Sequence, residues 1–182
     1  MSKTPAAVGV LLAAGAGTRY GMPKVLAQQG RWLQSAVSAL ADGGCDDVVV
    51  VLGAAVVEVP PPARAVVAKD WATGLSASLR VGLGAVGEPD LVVLHLVDTP
   101  DVGADVVARV LGAAASSASG LARAVYDGRP GHPVVIAHEH VPALASTLRG
   151  DEGGRAFLSG RDDVVAVECG DLATGADVDE RV

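Results

Sequence analysis

The sequence predicts a three-layer α/β/α fold, with a mostly parallel sheet between two helical layers and an antiparallel excursion in the final third. Three observations lead there. Short β-branched runs alternate with stretches of helical periodicity over the first two-thirds of the chain, as in successive βαβ units. Several runs, notably Val48-Val49-Val50-Val51-Leu52 and Leu91-Val92-Val93-Leu94, are apolar at every position, which suits strands covered on both faces. Half the residues are apolar but only 3% are aromatic, so the interior must be built from Val, Leu and Ala, as when Ala-rich helices cover a parallel sheet.

The elements are read in chain order. Lys3 followed by Ala6 to Ala14 resembles a secretion signal with a small-residue cleavage site, but the apolar run is short, contains Gly9 and passes directly into a glycine-rich loop, so Val8 to Leu12 reads as a buried first strand. A helix over Leu33 to Ala41 and a second strand over Asp47 to Leu52 follow. Val59-Pro60-Pro61-Pro62 is a stiff connector and not a domain boundary, because too little chain precedes it for a separate core. Ala65 to Ala68 is the third strand, and Ser76 to Val86 is a helix with Leu79, Leu83 and Val86 on one face. Leu91 to Val97 and Ala104 to Ala115 complete another strand–helix pair. Leu121 to Tyr126 and Val134 to Ala137 then flank the turn Asp127-Gly128-Arg129-Pro130-Gly131, the expected antiparallel excursion, and Val164 to Val167 is the last strand. At 182 residues the chain suits one domain, 1–182, burying about 70% of its unfolded surface.

Composition narrows the function classes. A net charge of -7 without a Lys/Arg run repels a nucleic-acid backbone, so nucleic-acid binding is disfavoured. No apolar stretch approaches the roughly 20 charge-free residues of a membrane span, and a cytoplasmic protein is expected. Cys45 and Cys169 are isolated, lack metal-ligand spacing and read as reduced thiols.

In open α/β sheets ligands bind beyond the carboxyl ends of the strands, which singles out the loops 13–24, 70–78 and 98–101. The first reads Leu12-Ala13-Ala14-Gly15-Ala16-Gly17-Thr18-Arg19-Tyr20-Gly21-Met22-Pro23-Lys24. Glycines let backbone N–H groups approach phosphate oxygens, while Arg19 and Lys24 offer fixed positive charge for a triphosphate. A dinucleotide fingerprint would need a third glycine where Tyr20 stands, and a P-loop would need Gly-Lys-Ser/Thr where Pro23 precedes Lys24. The plain alternative is a glycine-rich strand-to-helix turn with solvated cations. Asp98 closes an apolar strand and is followed by Thr99-Pro100, which puts its carboxylate at the sheet edge, suited either to Mg²⁺ or to capping a helix near Asp101. Ser76 and Ser78 open a helix where hydroxyls hold phosphate or base edges, or simply cap it; Arg80, one turn later, reaches an anion or is solvated.

The pattern Leu-Ala-Ala-Gly-x-Gly-x-Arg-x-Gly-x-Pro-Lys resembles the nucleotidyltransferase superfamily of molybdenum cofactor and sugar-phosphate enzymes. The segment Trp71-Ala72-Thr73-Gly74-Leu75-Ser76-Ala77-Ser78-Leu79-Arg80 is similar to that of the molybdenum cofactor cytidylyltransferase group. So are Asp98-Thr99-Pro100, Gly128-Arg129-Pro130-Gly131-His132-Pro133, Gly150-Asp151-Glu152-Gly153-Gly154 and Asp177-Val178-Asp179, in an order that covers nearly the whole chain.

The resemblance implies transfer of a nucleoside monophosphate from an NTP to a phosphorylated acceptor, molybdopterin or its molybdenum-bearing form, with pyrophosphate leaving. It implies Arg19, Lys24 and Asp98 as catalytic residues; residues 12–19, Lys24, Asp70, Gly74, Ser76 and Ser78 on the nucleotide; and His132 and Asp151 on the acceptor. Mg²⁺ would lie on Asp98 and Asp177, and contact with a molybdoenzyme or its chaperone would follow. Apart from the resemblance, His132 reads as a histidine in a rigid turn, Asp151 as a residue favoured by a helix dipole, and Asp177 as part of an acidic tail. Ala14, where the guanylyl branch has glycine, favours CTP over GTP. A sugar-phosphate nucleotidyltransferase and a non-catalytic nucleotide-binding accessory module are the alternatives. The second draws on departures from the family pattern: Thr99, Trp32 and the tail that ends at Glu180-Arg181-Val182.

Overall fold

The computed structural model describes residues 3–181; Met1, Ser2 and Val182, at the two ends of the expected 1–182 domain, lie outside the described residues. The chain runs through β1 (Ala7–Ala13), α1 (Arg31–Asp42), β2 (Asp47–Leu52), β3 (Arg64–Val67), α2 (Leu75–Gly84) and β4 (Leu91–Leu96). It continues through α3 (Ala104–Ser116), β5 (Leu121–Tyr126), β6 (Arg129–Ala137), α4 (Val141–Thr147), α5 (Arg155–Leu158) and β7 (Val165–Glu168). The seven strands form one sheet in the order β3-β2-β1-β4-β6-β5-β7. β6 pairs antiparallel with both neighbours, and every other pairing is parallel.

Alternation of side chains along each strand divides the interior into two layers. Leu11, Val50, Val93 and Ala122 pack with Leu33, Val37 and Leu40 of α1 and Val106, Val107 and Val110 of α3. Val10, Val49, Val92 and Ile136 pack on the other side with Leu79 and Leu83 of α2, Leu144 of α4 and Phe157 of α5. No strand of this centre shows a polar face, the reason β1, β2 and β4 read as uninterrupted apolar runs. Both cysteines are buried free thiols. Among the described residues, no helix is long and apolar enough to cross a membrane.

The strands lie where the sequence puts them to within a residue or two, with one consequential exception. The turn after β5 is only Asp127-Gly128, both with positive φ (51° and 76°), the backbone that joins adjacent strands most tightly. Tyr126 therefore pairs with Arg129, and β6 begins five residues before the expected Val134. His132 accordingly lies within a strand and not in a turn. Helix α4 is too short, at seven residues, for its periodicity to register in the sequence, whereas α5 is the short helix expected after Asp151 and Glu152.

Candidate active site

A cleft of about 520 Å³ opens beyond the carboxyl ends of β1 and β4. Its floor is the first glycine loop: residues 12–15 and 17–20 line it, with Lys24 following, whereas Ala16 does not. The loop folds back on itself, with the Gly21 N–H donating to the Gly17 carbonyl at 2.8 Å. Gly17 is required there, because its φ is +62° and a Cβ would run into the Met22 carbonyl. Arg19 is exposed at the cleft rim.

Lys24 occupies the centre. Its Nζ donates to Asp98 Oδ2 at 2.8 Å and to Asp179 Oδ1 at 2.9 Å. Burial lowers the Lys24 pKa, but the hydrogen bonds and charges of Asp98 and Asp179 more than reverse this, and the net shift is upward. Asp98 does not cap a helix: α3 starts at Ala104, with Gly103 at its cap. Its Oδ1 is buried and accepts no hydrogen bond.

The last residues form a strap over this centre. The Thr174 backbone N–H and hydroxyl both donate to Asp101, at 2.7 and 2.6 Å. The Val178 N–H donates to the Asp98 carbonyl at 2.9 Å, and the Arg181 guanidinium lies 5.1 Å from the Tyr20 ring centroid. Asp179, and not Asp177, reaches Lys24 and lines the cleft. Partial burial, with Asp98 and Asp179 nearby, raises the Asp177 pKa against the opposing pull of Lys24. A hydrogen bond from Lys24 lowers that of Asp179. The sequence offers no means of choosing between the two carboxylates; the Val178–Asp98 backbone hydrogen bond fixes the register that does.

Trp71, Gly74 and Ser78 form one wall and Asp151 approaches from the loop after α4. Gly74 has φ +133°, and a Cβ there would strike the Gly150 backbone. The Ser76 hydroxyl donates to the Gly150 carbonyl at 2.7 Å, so this buried side chain ties the two walls together instead of lining the cleft or capping α2. Asp70 is exposed outside the cleft, its carbonyl accepting from the Thr73 hydroxyl. Arg80 donates to the Leu148 carbonyl at 2.7 Å, pinning the end of α4 rather than meeting a ligand.

His132 also lies outside the cleft lining, in β6. Burial, reinforced by Arg123 and opposed by Asp98, lowers its pKa to about 4. His95, fully buried in β4 with both ring nitrogens unpartnered, is lowered by burial and by His132 to about 3. Trp71 and Asp179 stand in the motifs quoted from the sequence without a site role, and the structure brings both to the cleft.

Residues 9–165 match the MobA-like NTP transferase domain. The chain belongs to this family. It is 39% identical over 189 residues to nicotine blue oxidoreductase of Paenarthrobacter nicotinovorans, covering 96% of this chain and 93% of that one. Among solved structures it is similar to the homologue of Mycobacterium tuberculosis Rv0371c from Mycobacterium sp. strain JC1, with a TM-score of 0.80, 30% identity and coverage of 96% and 90%. It is also similar to Rv0371c from Mycobacterium tuberculosis H37Rv in complex with manganese, with a TM-score of 0.71, 25% identity and coverage of 96% and 94%. The MobA-like transferase fold thus extends over nearly all of the chain, and NTP is the substrate class the family implies.

The family implies a divalent metal, and the donor set is compatible with one. Asp98 Oδ1 is an unused buried acceptor, and the Asp177 and Asp179 carboxylates lie within its electrostatic reach. Among the described residues no cluster of three or more ready-made ligands exists.

Proposed function

We propose that the chain, acting as one cytoplasmic nucleotidyltransferase domain, moves CMP in preference to GMP from an NTP to a phosphorylated acceptor, with molybdopterin or its molybdenum-bearing form the leading candidate. The observation that carries this reading is the Lys24–Asp98–Asp179 cluster at the carboxyl edge of the sheet, next to the glycine loop.

In the proposed reaction an acceptor phosphate oxygen bonds to the α-phosphorus as the bond to the bridging oxygen breaks and pyrophosphate departs. The acceptor phosphate is already ionised near neutral pH, so no general base and no covalent enzyme nucleophile is needed. Backbone N–H groups of the glycine loop, Arg19 and Lys24 hold and orient the triphosphate, and the loop bearing Asp151 borders the acceptor side. Asp98, with Asp177 or Asp179, would hold Mg²⁺. When bound, the ion neutralises charge on the phosphate oxygens. Ala14, buried at the cleft floor, adds a methyl group that favours the smaller pyrimidine.

The test is pyrophosphate release from each of the four NTPs with Mg²⁺, with and without molybdopterin. Release with CTP and molybdopterin together is expected; none with any NTP rejects the proposal. A second reading comes from the 39% identical relative named an oxidoreductase: the same cleft would hold a pyrophosphate-bearing redox cofactor. Nicotine blue is the substrate to try for it, and NTP-independent turnover would favour that reading.

A further inference from the structure

The chain has two tryptophans, two tyrosines and one phenylalanine, and four of these five rings are engaged within the protein. Tyr20 and Trp32 face each other with ring centroids 5.2 Å apart, and the Arg181 guanidinium lies over Tyr20. The Phe157 ring meets the Arg161 guanidinium at 4.9 Å. The Tyr126 hydroxyl donates to the His132 carbonyl at 2.6 Å. Trp71 differs. Among the described residues its indole has no ring, cation or hydrogen-bond partner, and it lines the cleft.

The backbone around Trp71 fixes where that ring stands. Trp71 opens a 3₁₀ turn, Trp71–Thr73, shortly after β3; its N–H donates to the Ala68 carbonyl at 3.3 Å and its carbonyl accepts from the Gly74 N–H at 3.2 Å. A Cβ on Gly53 would stand 2.7 Å from the Ala14 carbonyl and 2.7 Å from Cβ and Cγ of Trp71, so the bare Gly53 backbone is what lets the tryptophan close on the loop of Ala14. The Ala54 N–H donates to the Ala14 carbonyl at 2.9 Å and holds that loop in the same corner. Trp71, Leu12, Ala14 and Leu96 share the apolar layer covered by α2, and all four line the cleft whose charged centre is Lys24 with Asp98 and Asp179. An apolar wall with one unpartnered aromatic face, in the same cleft as a charged centre, matches the two parts of a nucleotide: a flat base and a polyanionic tail.

We propose that Trp71 is the platform on which the nucleobase of the NTP stacks, at the corner where its side chain meets the loop of Ala14. The inference deepens the transferase reading and rests on it for the choice of a nucleotide as ligand. An indole offers a broad, rigid face, and every base has a π-face, so stacking holds the base without choosing it. Selection between CTP and GTP therefore stays with the loop of Ala14, and Trp71 supplies affinity common to both. Trp71 is a binding residue for the base and has no part in the chemistry at the phosphate.

The test is nucleotide binding by the full chain with Mg²⁺ and no acceptor, followed first by fluorescence of Trp32→Phe, which leaves Trp71 as the single tryptophan. Saturable quenching by CTP and by GTP is expected, and none by inorganic tripolyphosphate, which has no base. Calorimetric titration then compares the wild type with Trp71→Leu and Trp71→Phe. Trp71→Leu, which keeps an apolar side chain against the α2 layer, should weaken CTP and GTP by a common factor of about ten or more, the scale of losing one stacked base, and leave tripolyphosphate unchanged; Trp71→Phe should stay within about threefold of the wild type. Unaltered Trp71 fluorescence at saturating CTP overturns the proposal, and so does an unchanged CTP affinity in folded Trp71→Leu. An equal loss for CTP and tripolyphosphate overturns it as well, since a purely structural tryptophan would give that result. Should Trp71→Leu fail to fold, the quenching in Trp32→Phe decides. A protein whose Trp71 is quenched by CTP but that releases no pyrophosphate defeats the transferase reading alone, whereas a wild type that binds no NTP rejects both.

Discussion

Lys24 is held by two carboxylates that must give way, at least in part, when a triphosphate arrives. Asp98 has a second oxygen free for a cation, whereas Asp179 is more exposed and sits on the strap. Asp98→Ala should therefore reduce turnover by roughly a hundredfold to a thousandfold, the scale for losing a principal charge stabiliser, while circular dichroism reports an unchanged fold. A folded variant with full activity removes Asp98 from the metal assignment. Lys24→Ala should raise the NTP KM by an amount equivalent to about 1.5 to 3 kcal/mol, the value of a hydrogen bond to a charged group. It also leaves Asp98 and Asp179 without their shared cation, and an unchanged NTP KM would remove Lys24 from the triphosphate site. At Ala14 a methyl group is worth only about 1 to 3 kcal/mol. Competition between CTP and GTP should show a preference for CTP that Ala14→Gly narrows without inverting; an unchanged ratio removes Ala14 from base selection.

Between elements, the site depends on α2 meeting the loop after α4. The contact is made by the Gly74 backbone, the Ser76 hydroxyl on Gly150, and Arg80 on the carbonyl of Leu148. Gly74→Ala introduces a Cβ where φ is +133° and where the Gly150 backbone already stands, so the two walls must separate. A loss of about 1 to 3 kcal/mol in stability is expected from the backbone strain alone. The NTP KM should rise with it, because Ser78 and Asp151 line opposite sides of the displaced contact. Denaturant unfolding and steady-state kinetics test both parts, and a variant as stable and as active as the wild type would show that the contact is dispensable. The hairpin of β5 and β6 has a comparable role: its two-residue turn moves His132 from a loop into β6.

For the molecule as a whole, the buried histidines set a pH dependence of stability. His95 has a folded pKa of about 3 against an ordinary value of 6.5. Between these values the unfolded chain binds a proton that the folded one does not, so stability rises with pH across the window and is lost as pH falls below 6.5. The slope from this residue is about 1.4 kcal/mol per pH unit. His132, lowered to about 4, adds to it in the same direction. Urea unfolding between pH 5 and 6.5, roughly the range above carboxylate titration, should show this slope reduced in His95→Leu. An identical slope in the variant would mean that His95 is not the neutral, buried group described.

By itself the sequence determined the strand order in time, the covered character of the central strands, the glycine loop and the placing of Arg19, Lys24 and Asp98 at the carboxyl edge of the sheet. These are legible because they are local: side-chain period, turn chemistry and spacing after a strand are properties of neighbouring residues. It could not determine which carboxylate of Asp177 and Asp179 meets Lys24, that Ser76 and Arg80 are occupied by carbonyls about 70 residues away, or that the ring nitrogens of His95 are buried without a partner. Those outcomes follow from the register of β6, the docking of the strap on Asp98 and the approach of the loop after α4 to α2. Each is a contact between segments distant along the chain, and only tertiary packing, by choosing one register among several that local pattern allows, decides which side chains meet.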